Sequence, residues 1–202
     1  MRLILGLAAA LALAACGGAG AARSNGVGTL KLPPDERPAR IGRGAGFRPP
    51  AISPAVARAA TIHGLRCTRT RGPVYGVHIE LYAHRLVVPV PSGIGVAPPQ
   101  RRSGVYVLGG RCAYPVRTSE PTGVVVVDQG HLLSLGALFA VWGQPLTRGA
   151  LGSFRGAVLA YVGGRRFTGP PGAIALRRHA EIVLEIDGVV LPHPAYRFPP
   201  GL

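Results

Sequence analysis

From Val77 to His84 apolar and polar residues alternate without a break: Val77, Ile79, Leu81 and Ala83 on one side, His78, Glu80, Tyr82 and His84 on the other. A period of two puts alternate side chains on opposite faces of a strand, so this stretch predicts a β-strand with an apolar face and a solvated face. Leu86 to Val90 reads as its hairpin partner, which Pro89 confines to an edge or interrupts. Val105 to Leu108 and Gly123 to Val127 predict further strands, the second apolar enough to be buried on both faces. The period then changes. Leu135, Leu138, Phe139 and Trp142 fall at i, i+3, i+4 and i+7 behind Ser134, and Gly143 with Pro145 closes the run, which predicts one amphipathic helix. Ala157 to Val162, the Gly163-Gly164 turn and Arg165 to Thr168 read as a hairpin, and Ala180 to Ile186 as a last strand. Ser53-Pro54 resembles a capped helix start for a short helix over Ala55 to His63, and the Pro-rich tail from Leu191 is extended. Many strands around one well-defined helix predict a single α+β domain over 54–202, mainly antiparallel, with the β-grasp arrangement as a candidate form.

The N-terminus carries a different signal. Met1-Arg2 is followed by an uncharged apolar run from Leu3 to Ala15, too short to span a bilayer and of signal-peptide length. It ends in Leu13-Ala14-Ala15-Cys16-Gly17, which resembles the bacterial lipobox. That resemblance implies a signal peptide over 1–15, cleavage after Ala15, and Cys16 acylated as the first mature residue. Several acyl chains, at about 0.8 kcal/mol per buried methylene, anchor a protein where one would not. The expected location is the cell membrane, facing the extracytoplasmic side. Residues 16–53, rich in Gly, Ala, Pro and Arg without periodicity, read as the lipidated N-terminus and a flexible tether.

Charge narrows the partners. The chain has 202 residues, 23 basic against 8 acidic, and a formal net charge of +15, with Lys31 its one lysine. The arginines come as singles and pairs rather than as a block, a pattern that fits GC-rich composition as well as a polyanion site. Either origin favours anionic lipid or envelope polymer as a partner. Aromatic residues, 6% of the chain, are not interleaved with arginine as a nucleic-acid platform requires, so no nucleic acid is expected.

Catalytic signatures are weak. Gly152-Ser153-Phe154-Arg155-Gly156 places its serine one position too early for a nucleophile elbow. Gly93-Ile94-Gly95 lacks the third glycine of a dinucleotide loop. The domain's carboxylates (Glu80, Glu120, Asp128, Glu181, Glu185 and Asp187) show no spacing that argues for acid–base work. No enzyme and no cofactor are expected. His78, Glu80 and His84 on one strand face offer a weak cation site, while His131, His179 and His193 fall near element ends as surface residues.

The segments Val90-Pro91-Ser92-Gly93-Ile94-Gly95-Val96, Cys112-Ala113-Tyr114, Thr122-Gly123-Val124-Val125, Leu135-Gly136 with Phe139 and Trp142-Gly143, Tyr161-Val162-Gly163-Gly164 with Thr168-Gly169, and Phe198-Pro199-Pro200-Gly201-Leu202 resemble an uncharacterised family of secreted and lipid-anchored bacterial proteins. The resemblance runs from about Cys67 to the C-terminus. It implies a His-x-His-x-His strand and a later His-Thr-His, imidazoles that would suit a metal. Here those positions are Val74, Gly76 and His78, and Arg117, Thr118 and Ser119, so one imidazole of the set remains. Cys67 and Cys112, an even pair for an oxidising compartment and present at both places in the resemblance, read as a disulfide, as two buried thiols, or as metal ligands. The expected function is an envelope lipoprotein with a non-catalytic scaffold or binding domain. The alternative is a degenerate copper- or zinc-binding lipoprotein keeping affinity through His78, His84 and the cysteines.

Overall fold

The computed structural model describes residues 39–70 and 72–202. The signal peptide, Cys16 and the first part of the tether lie outside the described residues. Two α-helices, α1 (Pro54–Arg58) and α2 (Leu135–Trp142), accompany a seven-stranded sheet. Its strands are β1 (Val74–Ala83), β2 (Leu86–Val87), β3 (Val116–Arg117), β4 (Val124–Asp128), β5 (Val158–Val162), β6 (Arg165–Phe167) and β7 (Glu181–Ile186). They lie in the order β6-β5-β7-β1-β4-β3, with β2 on the far end of β1. Every pairing is antiparallel except the central one, β7 on β1. The chain is therefore α+β and mainly antiparallel, with one helix of more than a turn and a half. Smaller hairpins flank the sheet at Thr61–Ile62 with Leu65–Arg66 and at Arg101–Ser103 with Tyr106–Gly109. A short meander runs through Leu146–Thr147, Ala150–Leu151 and Phe154–Arg155. Among the described residues no helix is long and apolar enough to cross a membrane.

The apolar side of the alternation becomes the core. Val77, Ile79, Leu81 and Ala83 of β1 join Val125 and Val127 of β4 and Ile182, Leu184 and Ile186 of β7 in one buried cluster with Leu135, Leu138, Phe139 and Trp142 of α2. Trp142 is sealed, and its indole N–H donates to the Pro50 carbonyl at 2.6 Å. Gly143 ends α2 in the left-handed region at φ 75°, where a Cβ would meet the Ser53 hydroxyl at 2.8 Å. Glycine suits both demands. Ser134 stands at the N-cap, although its hydroxyl makes no capping bond.

Cys67 and Cys112 form a disulfide. Joining positions 45 residues apart, it stabilises the fold by roughly 4 kcal/mol in the chain-entropy account. The thiol and metal-ligand alternatives for this pair fall away.

Several boundaries differ from the sequence expectation. The domain begins before Pro54: Ile41 bridges Val87, the Gly42 N–H donates to the Val87 carbonyl, and Phe47 is buried against Phe154 at 4.8 Å between ring centroids. This segment covers the outer edge of β2, which would otherwise present unpaired backbone groups. The short helix stops at Arg58, because Ala59 is extended and the chain turns into the Thr61–Arg66 hairpin through His63 and Gly64, both at positive φ. Its Ser53 cap is as expected, accepting from the Val56 N–H at 3.2 Å. The strand expected at Val105–Leu108 belongs to a separate hairpin outside the main sheet, with Tyr106 and Leu108 exposed and Val107 buried against Val96 and Ala113.

Candidate functional site

The polar side of β1 is not solvated. His78 is 6% exposed, Glu181 2% and Glu185 0%. The expectation of a water-washed face is corrected by the parallel pairing of β7, whose register sets Glu181 beside His78 and Glu185 beside Tyr82. In both strands alternate residues share a face, so His78, Glu80, Tyr82, Glu181 and Glu185 come together from two sequence segments about a hundred residues apart. The C-terminal segment after β7 closes over them. Tyr196 stacks on the His78 ring at 3.8 Å and 11°, His193 Nδ1 lies 2.8 and 2.9 Å from the two Glu80 oxygens, and the Val190 N–H donates to Glu185 Oε1 at 2.9 Å. Phe198 lies over Gly76, where a Cβ would come within 2.6 Å of the ring. Any larger residue at 76 would lift this strap.

His78 fixes the electrostatics. Its Nε2 is 2.9 Å from the Thr122 carbonyl, which only accepts, so Nε2 carries a hydrogen. Its Nδ1 lies 2.8 and 3.0 Å from both oxygens of Glu181. A bare imidazole lone pair facing a carboxylate is repulsive, so the gap requires a positive particle: a proton or a metal ion. Burial alone would lower the His78 pKa, but the Glu181 hydrogen bond and charge, the Thr122 carbonyl and the Glu80 charge outweigh it and hold His78 above the ordinary histidine value. Burial raises Glu181 too, partly offset by His78. The proton is held by the pair rather than by either group alone. Nearby, burial and the Glu80 carboxylate push the Tyr82 phenol well up; its O–H donates to Glu80 Oε2 at 2.9 Å. Glu185 is raised by burial, and its Oε2 has no hydrogen-bond partner among the described residues.

One nitrogen of His78 and one oxygen each from Glu80 and Glu181 lie within 4.8 Å of one another, close enough to ligate a single cation. A cavity of about 220 Å³ opens beside them, lined by His78, Glu80, Thr122 and Val90. His193, 61% exposed along its side chain, touches Glu80 from outside this three-residue group.

Of the residues singled out from sequence, His78 and Glu80 belong to this cluster and His84 does not. β1 ends at Ala83, and His84 occupies a left-handed turn at φ 52°, its ring against Phe154 and its Nδ1 3.9 Å from Asp187. The pairing of His78 with His84 is corrected to His78 with Glu181. His193 and His179 are exposed, as expected, and both also hold the strap: the His179 ring Nε2–H donates to the Leu202 main-chain oxygen at 2.6 Å and that ring stacks on Phe198, while His193 meets Glu80. Arg117 is buried and bonds Asp128 at 2.6 Å, so a guanidinium–carboxylate pair fills that position. Cys16, the lipidation residue, lies outside the described residues. Glu181, Glu185 and Tyr196 escape sequence reasoning. The i, i+4 glutamates of an otherwise apolar strand were the available signal, and only the strand register gives it meaning.

Comparison with family models, with curated proteins and with solved structures finds no match to this chain.

Proposed function

We propose that this chain is a lipid-anchored, non-catalytic binding domain on the extracytoplasmic side of the cell membrane, and that its ligand is a zinc- or copper-class divalent ion. The observation that carries the ion is the orientation of His78: Nε2–H is held by the Thr122 carbonyl, and Nδ1 is aimed at Glu181 with Glu80 beside it. A histidine that ligates through one nitrogen while its other N–H donates to a carbonyl is the usual outer-sphere arrangement. Imidazole with carboxylates suits zinc and copper rather than calcium. His193, hydrogen-bonded to Glu80, is the nearest further imidazole that a bound ion could recruit. Metal and proton compete for Nδ1, so affinity rises with pH. The anchor rests on Cys16 and the apolar run before it. The β-grasp form also belongs to this proposal, supported by the first and last strands of the sheet lying parallel at its centre.

A scaffold role is favoured by one feature of the same site, the closure of the His78–Glu181 pair to 2.8 Å, a distance that a shared proton fills. Equilibrium dialysis of the mature chain against zinc and against copper separates the two. Binding of about one equivalent near pH ~7.5, reduced near pH ~5.5 and weakened about tenfold or more by Glu181→Gln, supports the ion. Retention far below one equivalent, or binding indifferent to Glu181→Gln and Glu80→Gln, leaves the scaffold. The anchor is tested separately by detergent phase partitioning. Cys16→Ser should move the protein to the aqueous phase, and equal partitioning of both forms rejects lipidation.

A further inference from the structure

A second site lies at the N-terminal end of α2, beside Tyr75 at the start of β1. An open groove of about 1090 Å³ runs between the Gln129–Ser134 loop, the start of α2, the segment Ala173–Arg178 and the hairpin around His63. Its volume is slightly above the roughly 300–1,000 Å³ of pockets that take small organic ligands. The floor is apolar, with Leu65, Leu133, Ala137 and Leu176, and the rim is basic, with Arg177, Arg178 and two histidines. No carboxylate among the described residues lines it.

The walls are set by backbone rather than by loose side chains. Leu176 N–H donates to the Leu133 carbonyl at 2.9 Å, Leu135 N–H to Ile174 at 2.8 Å, and Ser134 bridges Ala175. Arg178 is held over the Tyr75 ring at 5.4 Å, and the Tyr75 hydroxyl donates to the Leu176 carbonyl at 2.7 Å. At the lip, Leu132 is fully exposed. A large apolar side chain left in water beside an apolar groove marks a surface shaped for a ligand.

Charge selects that ligand. Glu80, Glu181 and Glu185 are enclosed under the strap, and Asp128 is committed to Arg117. Among the described residues Arg117 is the one arginine paired with a carboxylate. Arg177 and Arg178 line the groove, and no carboxylate among the described residues pairs with either.

We propose that this groove binds a single-chain anionic amphiphile, a fatty carboxylate whose head group pairs with Arg177 and Arg178 while its chain lies on Leu65, Leu133 and Leu176. A guanidinium pair offers forked donors that match a carboxylate, and the apolar floor removes the chain from water. This site is independent of the metal cluster.

The test is calorimetric titration of the mature chain with dodecanoate below micelle formation. Acetate serves as the charge without the chain, and dodecyl maltoside as the chain without the charge. The expected result is saturable binding of one dodecanoate, with neither control binding comparably. The double variant Arg177→Gln/Arg178→Gln should weaken dodecanoate about tenfold or more, as loss of charged hydrogen bonds implies. Leu132→Ser, an exposed position that leaves the core untouched, should weaken it by a smaller factor. No saturable binding overturns the proposal. So does equal binding of dodecyl maltoside, or dodecanoate binding unchanged in both variants.

Discussion

Beneath α2 the central sheet buries Val77, Ile79, Leu81 and Trp142 against one another; beneath the C-terminal strap, with as little water, it buries His78, Glu181 and Glu185. The two faces belong to the same strands. The apolar face needs shape and volume, and its stability is indifferent to pH. The polar face needs each partner in place, because an unmatched polar group in a low-dielectric setting is costly. Such a face contributes little to net stability when intact and loses much when one member is removed. It therefore suits selection for a site better than selection for a core.

The largest effect is expected on the apolar face. Trp142→Ala should lower unfolding free energy by about 3–5 kcal/mol in urea, equally at mildly acid and mildly alkaline pH. A loss that varied steeply with pH would mean that the two faces are not separable.

Next in size is Glu181→Ala, expected to cost about 3 kcal/mol near pH ~6 by leaving the His78 imidazolium unpaired. His78 has its folded pKa raised. Its contribution is thus fully present below the ordinary histidine value of about 6.5 and is lost as pH rises through the folded value. In the metal-free protein, denaturant midpoints should fall over that window in wild type, and the slope there should flatten in His78→Phe. An identical slope in both assigns the pH dependence elsewhere.

Removing the strap's stacking ring is a smaller change. Tyr196→Ala should cost about 1 kcal/mol and expose the segment after β7 to limited proteolysis. Unchanged cleavage rates would show that the strap is held by its other contacts.

The last effect, no larger than this, has the opposite sign. Glu185 is fully buried with one oxygen unpartnered, and its folded pKa is raised. Below the ordinary carboxylate range it is protonated in both states and neutral in effect. As pH rises, ionisation destabilises the fold. Glu185→Gln should therefore stabilise the protein by about 1 kcal/mol at neutral pH, with the gain vanishing in acid. A melting temperature lowered by this substitution at neutral pH would contradict the picture of a buried carboxylate short of partners.

The same contrast explains what could be read from the residues. The apolar face was legible because its signal is local: alternation in β1, and the i, i+3, i+4, i+7 positions of α2, lie in short windows. The polar face was half legible. His78 and Glu80 were visible on β1, but their partner Glu181 depends on a parallel register that no local pattern encodes. His84 was misplaced because alternation continues in sequence one residue beyond the point where the backbone turns left-handed. β3 went unseen because two residues, Val116 and Arg117, carry no period. The domain start was missed since Ile41, Phe47 and Pro50 act through isolated contacts: one bridge, one ring pair and one carbonyl.

The parallel pair of β1 and β7 also governs when the molecule can assemble. β1 is the first long strand of the sheet and β7 the last, so the seam at its centre joins residues such as His78 and Glu181, 103 positions apart. A chain that emerges N-terminus first from synthesis presents β1, β4 and α2 long before β7 arrives. Until then β1 has one lateral edge unfilled. Closure over so long a separation is slow, and an open strand edge can pair with another molecule meanwhile. Loss of even the final strand would leave that gap permanent, so truncation near residue 180 should yield aggregate rather than a smaller folded domain.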